Sequence, residues 1–462
     1  MKTFSIPMPL YLFVFFFLLS CNTNKINKDS YEGSAKTENY VVDELPPPYA
    51  TKSVKNFSEV TKWPAGKTPA APAGFIVTKF ADSLEHPRWI YVADNGDIFV
   101  AESNTILKGV MKVGANISRK IKTQHVGESK NRITMFRDAD KNGVYEQRFI
   151  FMEDLNQPFG MLILNNSFYV GNTDGLMQYD YKLGDTKITS AGKKIVSLPA
   201  GEHNRHWTRN IITNKNKDKI YIAVGSGTNV AEEGLDNEIR RACILEVNTD
   251  GTGERIYASG LRNPVGIDWA PGTNTLWAAV NERDELGDEL VPDYVTSVKE
   301  GGFYGWPYSY FGQHLDPRMK DKQRPDLVQK AIVPDIPVGS HTASLGFVFY
   351  RDNSFPAKYR NGAFVTQHGS WNRSVLSGYK VIFIPFKNGK PSGEPQDFLT
   401  GFIDDLSKSK VHGRPVGIAV LADGSMLISD DVNNMVWRVA ADKKVAMNTR
   451  DPETGKIMPL VD

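Results

Sequence analysis

Six times along the chain, a turn rich in Asn, Asp or Gly is followed by a short β-favouring run with an aromatic residue or leucine at its centre. The runs are DNGDIFVAE around Phe99, NNSFYVGN around Tyr169, NKDKIYIAVG around Tyr221, GTNTLWAAV around Trp277, RNGAFVTQ around Phe364 and ADGSMLISD around Leu427. Asn-Gly and Asp-Gly suit the φ > 0 positions of a tight hairpin, and the apolar run after each reads as a buried strand. The centres lie 70, 52, 56, 87 and 63 residues apart, room for four short strands and variable loops per unit. Helical periodicity is scarce. The pattern predicts an all-β chain, a six-bladed β-propeller; tandem β-sandwiches are the competing architecture and leave six similar units unexplained.

The N-terminus departs from this pattern. MKTFSIPMPLYLFVFFFLLSC has an early lysine and an apolar run from Pro7 to Leu19, short for a membrane span, then a small residue before Cys21. This is an export signal, and its LLSC ending resembles the bacterial lipobox, which implies a lipid anchor through Cys21; a short membrane anchor is the alternative. The expected organisation is a signal over 1–21, a polar tether and Pro-rich arm over 22–73, a propeller over 74–445 and a tail over 446–462. It implies an exported, membrane-anchored lipoprotein of the periplasm, outer membrane or cell surface. Cys243, within the apolar RACILEV, reads as a core residue without a disulfide.

Composition narrows the function. The chain of 462 residues is 40% hydrophobic and 23% charged, with a formal net charge of +2 and no basic block, which excludes the electrostatic footprint of a nucleic-acid binder. Propellers carry function in loops at one end of the channel. Next to the predicted strands stand HNRHWTRN, GLRNPVGIDW, NERDELGDE, GGFYGWP, QHGSWNR and VHGRPVG. Arginine forks and imidazoles gathered there suit an anionic ligand beside a general base.

GLRNPVGIDW followed by GGFYGWP, together with HWTRN, QHGSWNR and DGSMLISDDVNNMVWRV, resembles the soluble quinoprotein glucose and sorbosone dehydrogenases, nearest their sorbosone-dehydrogenase-like branch, over residues 75 to 440. The resemblance implies a six-bladed propeller that binds pyrroloquinoline quinone with calcium and oxidises C1 of a sugar. It places His206 at the catalytic base, with His203 as a second candidate because the spacing to the arginine differs by one. Arg209 would face the cofactor or hold the loop. Arg262 and Asn263 would contact the quinone; without the resemblance, the same residues read as a turn punctuated by Asn-Pro. Arg414 would pair with cofactor carboxylates, His412 stands where the family has a second arginine, and His368 and Arg373 stand near a position where glucose-oxidising members carry lysine. Arg283 and Asp284 fall where backbone carbonyls hold calcium; the same acidic run also reads as a solvated loop.

DADKNGVYE starts like an EF-hand loop through Asp138, Asp140, Asn142 and Gly143, but position twelve is Phe149, so it reads as a hairpin with at most a weak ion site. GGFYGWP and Trp371 read as loop packing or as a platform for a sugar ring. No CxxCH haem motif occurs, so electrons would leave to a separate acceptor, a cytochrome or a quinone. Two further readings stay open: a non-catalytic propeller that binds glycans or proteins, and, less well supported for want of clustered carboxylates, a calcium-dependent lactone hydrolase.

Overall fold

Gly96 and Gly424, in the first and last of the Asp-Gly and Asn-Gly turns, adopt φ of 90° and 77°, the left-handed region that glycine enters without a Cβ penalty. The apolar runs that follow are strands, and all six predicted centres fall on them: Ile98–Glu102, Ser167–Asn172, Lys219–Val224, Leu276–Val280, Gly362–Gln367 and Met426–Asp430. The computed structural model describes residues 1, 45–106, 120–124 and 126–442. Cys21, the signal, residues 22–44 and the tail over 446–462 lie outside the described residues.

Each of these strands is the second of its sheet. The first strands are Pro87–Val92, Met161–Leu164, Ile211–Thr213, Pro264–Trp269, Ser344–Tyr350 and Pro415–Val420, each antiparallel to the strand after it. Among the described residues five sheets have four strands and the fifth in chain order has five; smaller two- and three-stranded sheets lie outside them. First strands of consecutive sheets touch, and that of the sixth sheet touches that of the first. The sixth sheet takes its outer strand, Phe75–Ala81, from the other end of the body, antiparallel to Met435–Ala441. The chain is thus nearly all β; the α-helix at Pro325–Val328 is a single turn.

The first strands approach closely because small residues stand where they meet. A Cβ on Gly266 would lie 2.4 Å from Phe347 N, on Gly346 2.4 Å from Val416 O, on Gly417 2.3 Å from Arg88 O, and on Gly160 2.5 Å from Ile211 N. Hydroxyls on second strands bridge the same gaps. Ser429 Oγ accepts from Gly417 N (2.7 Å) and donates to Arg88 O (2.8 Å), and Thr366 Oγ1 likewise joins Gly346 N to Val416 O. Between sheets, aromatic side chains fill the volume: Phe99, fully buried, lies 4.7 Å from Phe151 and 5.1 Å from Phe168.

Gly417→Ala forces a methyl group into the Arg88 carbonyl and is expected to cost about 1–3 kcal/mol, the range for overpacking a close-packed interior. Thermal unfolding checks it; a melting temperature equal to that of the parent chain would mean that the first strands have slack.

Candidate active site

In an antiparallel hairpin the start of one strand and the end of the next share an end, so the segments before the first strands and after the second strands form one set of rim loops. Nearly every residue singled out in the sequence lies there. Cross-loop contacts join the rim: Arg88 to Asp431, Arg88 over the Trp207 ring, Gly225 against Asn263, Asp284 to His341, and His368 back to Asp431.

His206 is fixed through one ring nitrogen. Its Nδ1 lies 2.9 Å from both the carbonyl and the Oγ of Ser226, and that hydroxyl spends its own proton on Thr228 O at 2.6 Å. Two acceptors therefore face Nδ1, so it carries the proton and the neutral ring presents a bare Nε2, which has no partner among the described residues. Burial foremost, then the Arg262 charge, push the imidazole down to about 3, so it stays neutral. Gly225 makes room for this arrangement, since a Cβ there would meet Asn263 Oδ1 at 2.3 Å and the His206 Cβ at 2.6 Å. His203 has no comparable side-chain anchor among the described residues.

Arg262 is buried and its donors are spent on protein: Nε on Asn229 O, Nη1 on Glu282 O (2.6 Å) and Asn281, Nη2 on Asn229 Oδ1 (2.9 Å) and Asp284 Oδ2 (3.3 Å). It acts on the site as a fixed charge. Asn263 Oδ1 is buried without a partner among the described residues.

Asp284 is enclosed by donors. Oδ2 faces Arg262, Oδ1 lies 3.2 Å from His341 Nδ1, and its carbonyl accepts from Asn229 Nδ2 (3.1 Å) and Arg283 Nη2 (2.8 Å). Burial opposes its ionisation, but the bond to His341 and the Arg262 charge hold it below the usual carboxylate range. His341 donates Nε2–H to Gly287 O (2.8 Å). Burial works against its protonation, yet Asp284 holds its pKa above the ordinary value. Arg283 is buried in an ion pair with Asp316 at 2.7 Å. The Asp284 carbonyl and carboxylate thus do not fit a calcium ion, because cationic or amide donors already meet these oxygens. The one carboxylate cluster with metal-ligand spacing among the described residues is Asp138, Asp140 and Glu146, largely exposed, on the hairpin whose Asn142 N and Gly143 N bind Asp138.

On the opposite side of the rim Asp431 is buried between Arg88 (2.5 Å) and His368 Nε2 (3.0 Å). Burial opposes its charge, but His368 and Arg88 hold the carboxyl far below its usual range. His368 is pushed down to about 4 by burial and then by Arg414. Arg414 donates to the carbonyls of His368 (2.9 Å) and Gly369 (2.8 Å) and lies over the Tyr379 ring. The Nε of Arg88 is buried without a partner among the described residues. The buried charges of Arg88 and Arg414, with the unpartnered Arg88 Nε as donor, have the chemistry to hold an anionic quinone, and the unpartnered Asn263 Oδ1 offers an acceptor.

Other sequence candidates are placed elsewhere. Arg209 is fully buried and binds the carbonyls of Pro199, His206 and Thr208, which makes it the brace of the His206 loop. His412 bonds Thr61 Oγ1 (3.2 Å) and packs tilted against Trp63, and Arg373 pairs with Glu289 (2.6 Å). Trp371 is stacked by Phe57 at 5.9 Å. Sequence reasoning passed over Arg88, Ser226, Asn229, His341 and Asp431; the paired aspartates of ISDDVNN were the available signal for the last.

An uncharacterized protein of Borreliella burgdorferi is 29% identical over 81% of this chain and 92% of its own length. The pyrroloquinoline quinone-dependent pyranose dehydrogenase of Coprinopsis cinerea is 22% identical over 79% of this chain, which spans about half (53%) of that protein. The holo form of its quinone domain superposes with a TM-score of 0.65 at 19% identity, covering 83% of this chain and 100% of that domain. A calcium structure of the Trichoderma reesei carbohydrate-active enzyme of family AA12 gives 0.65 at 16% identity, covering 84% and 99%. These likenesses show the fold. Residues 69–297 and 311–442 match the TrAA12-like family, and the chain belongs to that family, in keeping with the soluble quinoprotein sugar dehydrogenases that its motifs resemble.

Proposed function

We propose that this chain is a six-bladed propeller that binds pyrroloquinoline quinone on the rim described above and oxidises a sugar or sugar aldehyde at C1. The observation that carries the reading is His206: its Nδ1–H is committed to Ser226, its Nε2 is bare, and Arg262 and Asn263 stand beside it. Six sheets joined through their first strands, with the sixth against the first, support the blade count.

A bound pyrroloquinoline quinone would supply the two-electron acceptor for the hydride that leaves C1. His206 Nε2 accepts the proton of the reacting hydroxyl, and the Ser226 carbonyl holds the ring in the tautomer that can do so. Arg262, immobilised by its own hydrogen bonds, stabilises negative charge that builds nearby at no cost of reorganisation. Arg88 and Arg414 would hold the cofactor's carboxylates and carbonyls, Asn263 Oδ1 would accept from an N–H of the cofactor, and Asp431 fixes His368 beside Arg88. The two electrons then pass to a separate acceptor, a cytochrome or a quinone. Export and acylation at Cys21 belong to the same proposal, on the lipobox-like LLSC.

His206→Gln is expected to lower kcat by about 10²–10⁴-fold, the usual contribution of a positioned base, with the Kd for pyrroloquinoline quinone little changed. Dye reduction over a panel of aldoses and sugar aldehydes reads both, and undiminished turnover in the variant removes the base assignment. If the unaltered chain does not bind the quinone, the glycan- or protein-binding module becomes the better account.

The acid limb of the pH profile of kcat/KM carries a second expectation. A base is active when deprotonated, and the depressed His206 pKa moves the loss of rate to lower pH, so the limb is expected below about pH 5 rather than near the ordinary histidine value of about 6.5. A limb at 6.5 that vanishes in His206→Gln would show that the imidazole is not held as described. Anchoring is checked by labelled fatty acid: incorporation into the full chain and its loss in Cys21→Ala are expected, and equal labelling would exclude Cys21.

A further inference from the structure

The segment from residue 45 to residue 63 lies outside the six sheets, and the chemistry above gives it no role. Its PPP start and scarcity of apolar pairs leave it extended, and its polar groups bind rim loops. At the turn that carries Asp284, Tyr49 N donates to Leu286 O (2.7 Å), Gly287 N donates to Ser53 Oγ (3.1 Å) and Asp288 N donates to Thr51 Oγ1 (2.7 Å). At the next rim loop, Asn372 Nδ2 donates to Val54 O (3.1 Å), Asn56 N donates to Trp371 O (2.8 Å), and the Phe57 ring lies parallel to Trp371, 9° between planes. Glu59–Val60 then pairs in parallel with Lys410–Val411, beside His412.

The segment ends on the anion-binding side. The Trp63 indole donates to Asp430 Oδ2 at 2.9 Å, and its ring packs 4.9 Å from His412, 5.2 Å from Trp437 and 5.5 Å from Phe402. Asp430 is fully buried; Oδ1 accepts the backbone N–H of Arg414 (3.0 Å) and Oδ2 also accepts from Asn433. A Cβ on Gly413 would sit 2.1 Å from Asp430 Oδ2, so this loop is packed against the carboxyl with no slack. The next residue, Asp431, is the carboxylate that Arg88 and His368 share. One peptide unit therefore connects the carboxyl held by Trp63, which also accepts from Arg414 N, with the carboxylate that Arg88 and His368 share.

We propose that residues 49–63 are a strap that forms part of the quinone site, and that Trp63 is a positioning residue for its anion grip, setting Arg414 and Asp431 through Asp430. The inference rests on the quinone-binding reading above. The strap spans from the turn behind Asp284 to the loop behind Arg414, and so fixes the distance between the two charged clusters that a cofactor must bridge. Removing the indole N–H leaves a buried carboxyl short of a donor, and the Asp430 loop then has reason to move.

The test uses the full chain, with Trp63→Phe, which keeps a ring and loses the donor, and Trp63→Ala. Pyrroloquinoline quinone Kd and release rate are measured by absorbance titration, with kcat at saturating quinone and the melting temperature alongside. The expected result for Trp63→Phe is a Kd roughly tenfold weaker and faster release, with kcat at saturation unchanged and a melting temperature within a few degrees of the parent. Trp63→Ala weakens binding further. Wild-type affinity in Trp63→Phe overturns the proposal, as does loss of affinity that follows the melting temperature alone across both variants. No quinone binding in the unaltered chain overturns the parent reading, and this one with it.

Discussion

The distance between neighbouring first strands is the constraint on which the rest of this protein depends. Each first strand is packed against two others, and the backbone of one lies where a Cβ of its neighbour would be at Gly160, Gly266, Gly346 and Gly417. A side chain at any of these positions would push a sheet outward and draw the rim loops at its end away from their partners. The Ser429 and Thr366 hydroxyls add direction to the packing, since each joins a glycine N–H of its own sheet to a carbonyl of the next. Closure is then completed by chain ends: Phe75–Ala81 pairs with Met435–Ala441, and Asp442 N donates to Gly74 O at 2.8 Å.

That rigidity makes the buried charges of the rim tolerable. Arg262, Arg283, Arg88 and Arg414 are all almost wholly buried, and a buried cation without partners would be strongly destabilising. Each is met by carbonyls or carboxylates contributed by a neighbouring loop, such as Asn229 O and Glu282 O for Arg262, or Asp431 for Arg88. These partners lie far apart in the chain and coincide only because the sheets hold fixed positions. The same logic separates the two halves of the rim: a neutral imidazole with a fixed cation beside it on one side, and the buried Arg88–Asp431 pair on the other.

Much of this was legible in the sequence, and the rest was hidden for physical reasons. The six second strands stood out because their hairpin turns need Asn, Asp or Gly, residues with a strong local signature. The first strands did not, although PVGI occurs twice, because a glycine required by close approach of another strand looks like one required by a turn. HNRHWTRN offered two candidate histidines, and only geometry separates His206, held by Ser226, from His203. Arg209 read as facing a cofactor or holding the loop, because a loop carbonyl and a cofactor carboxylate ask for the same donor, and its bonds to the Pro199, His206 and Thr208 carbonyls are those of a brace. His341 and Arg88 were invisible because their partners, Asp284 and Asp431, are 57 and 343 residues away.

Burial and Arg262 together keep His206 unprotonated, and Asp284 is the acidic group that works against them. Burial alone would depress the imidazole and leave a proton acceptor that no nearby group helps to charge. Here Asp284 stands within electrostatic reach of both Arg262 and His206, and it raises the histidine while Arg262 lowers it. The Arg262 effect outweighs that of Asp284, so the imidazole is held neutral, and any further negative charge brought near it would act on the Asp284 side. An anion bound at this rim would make the imidazole more basic, through charges that the sheets hold in place.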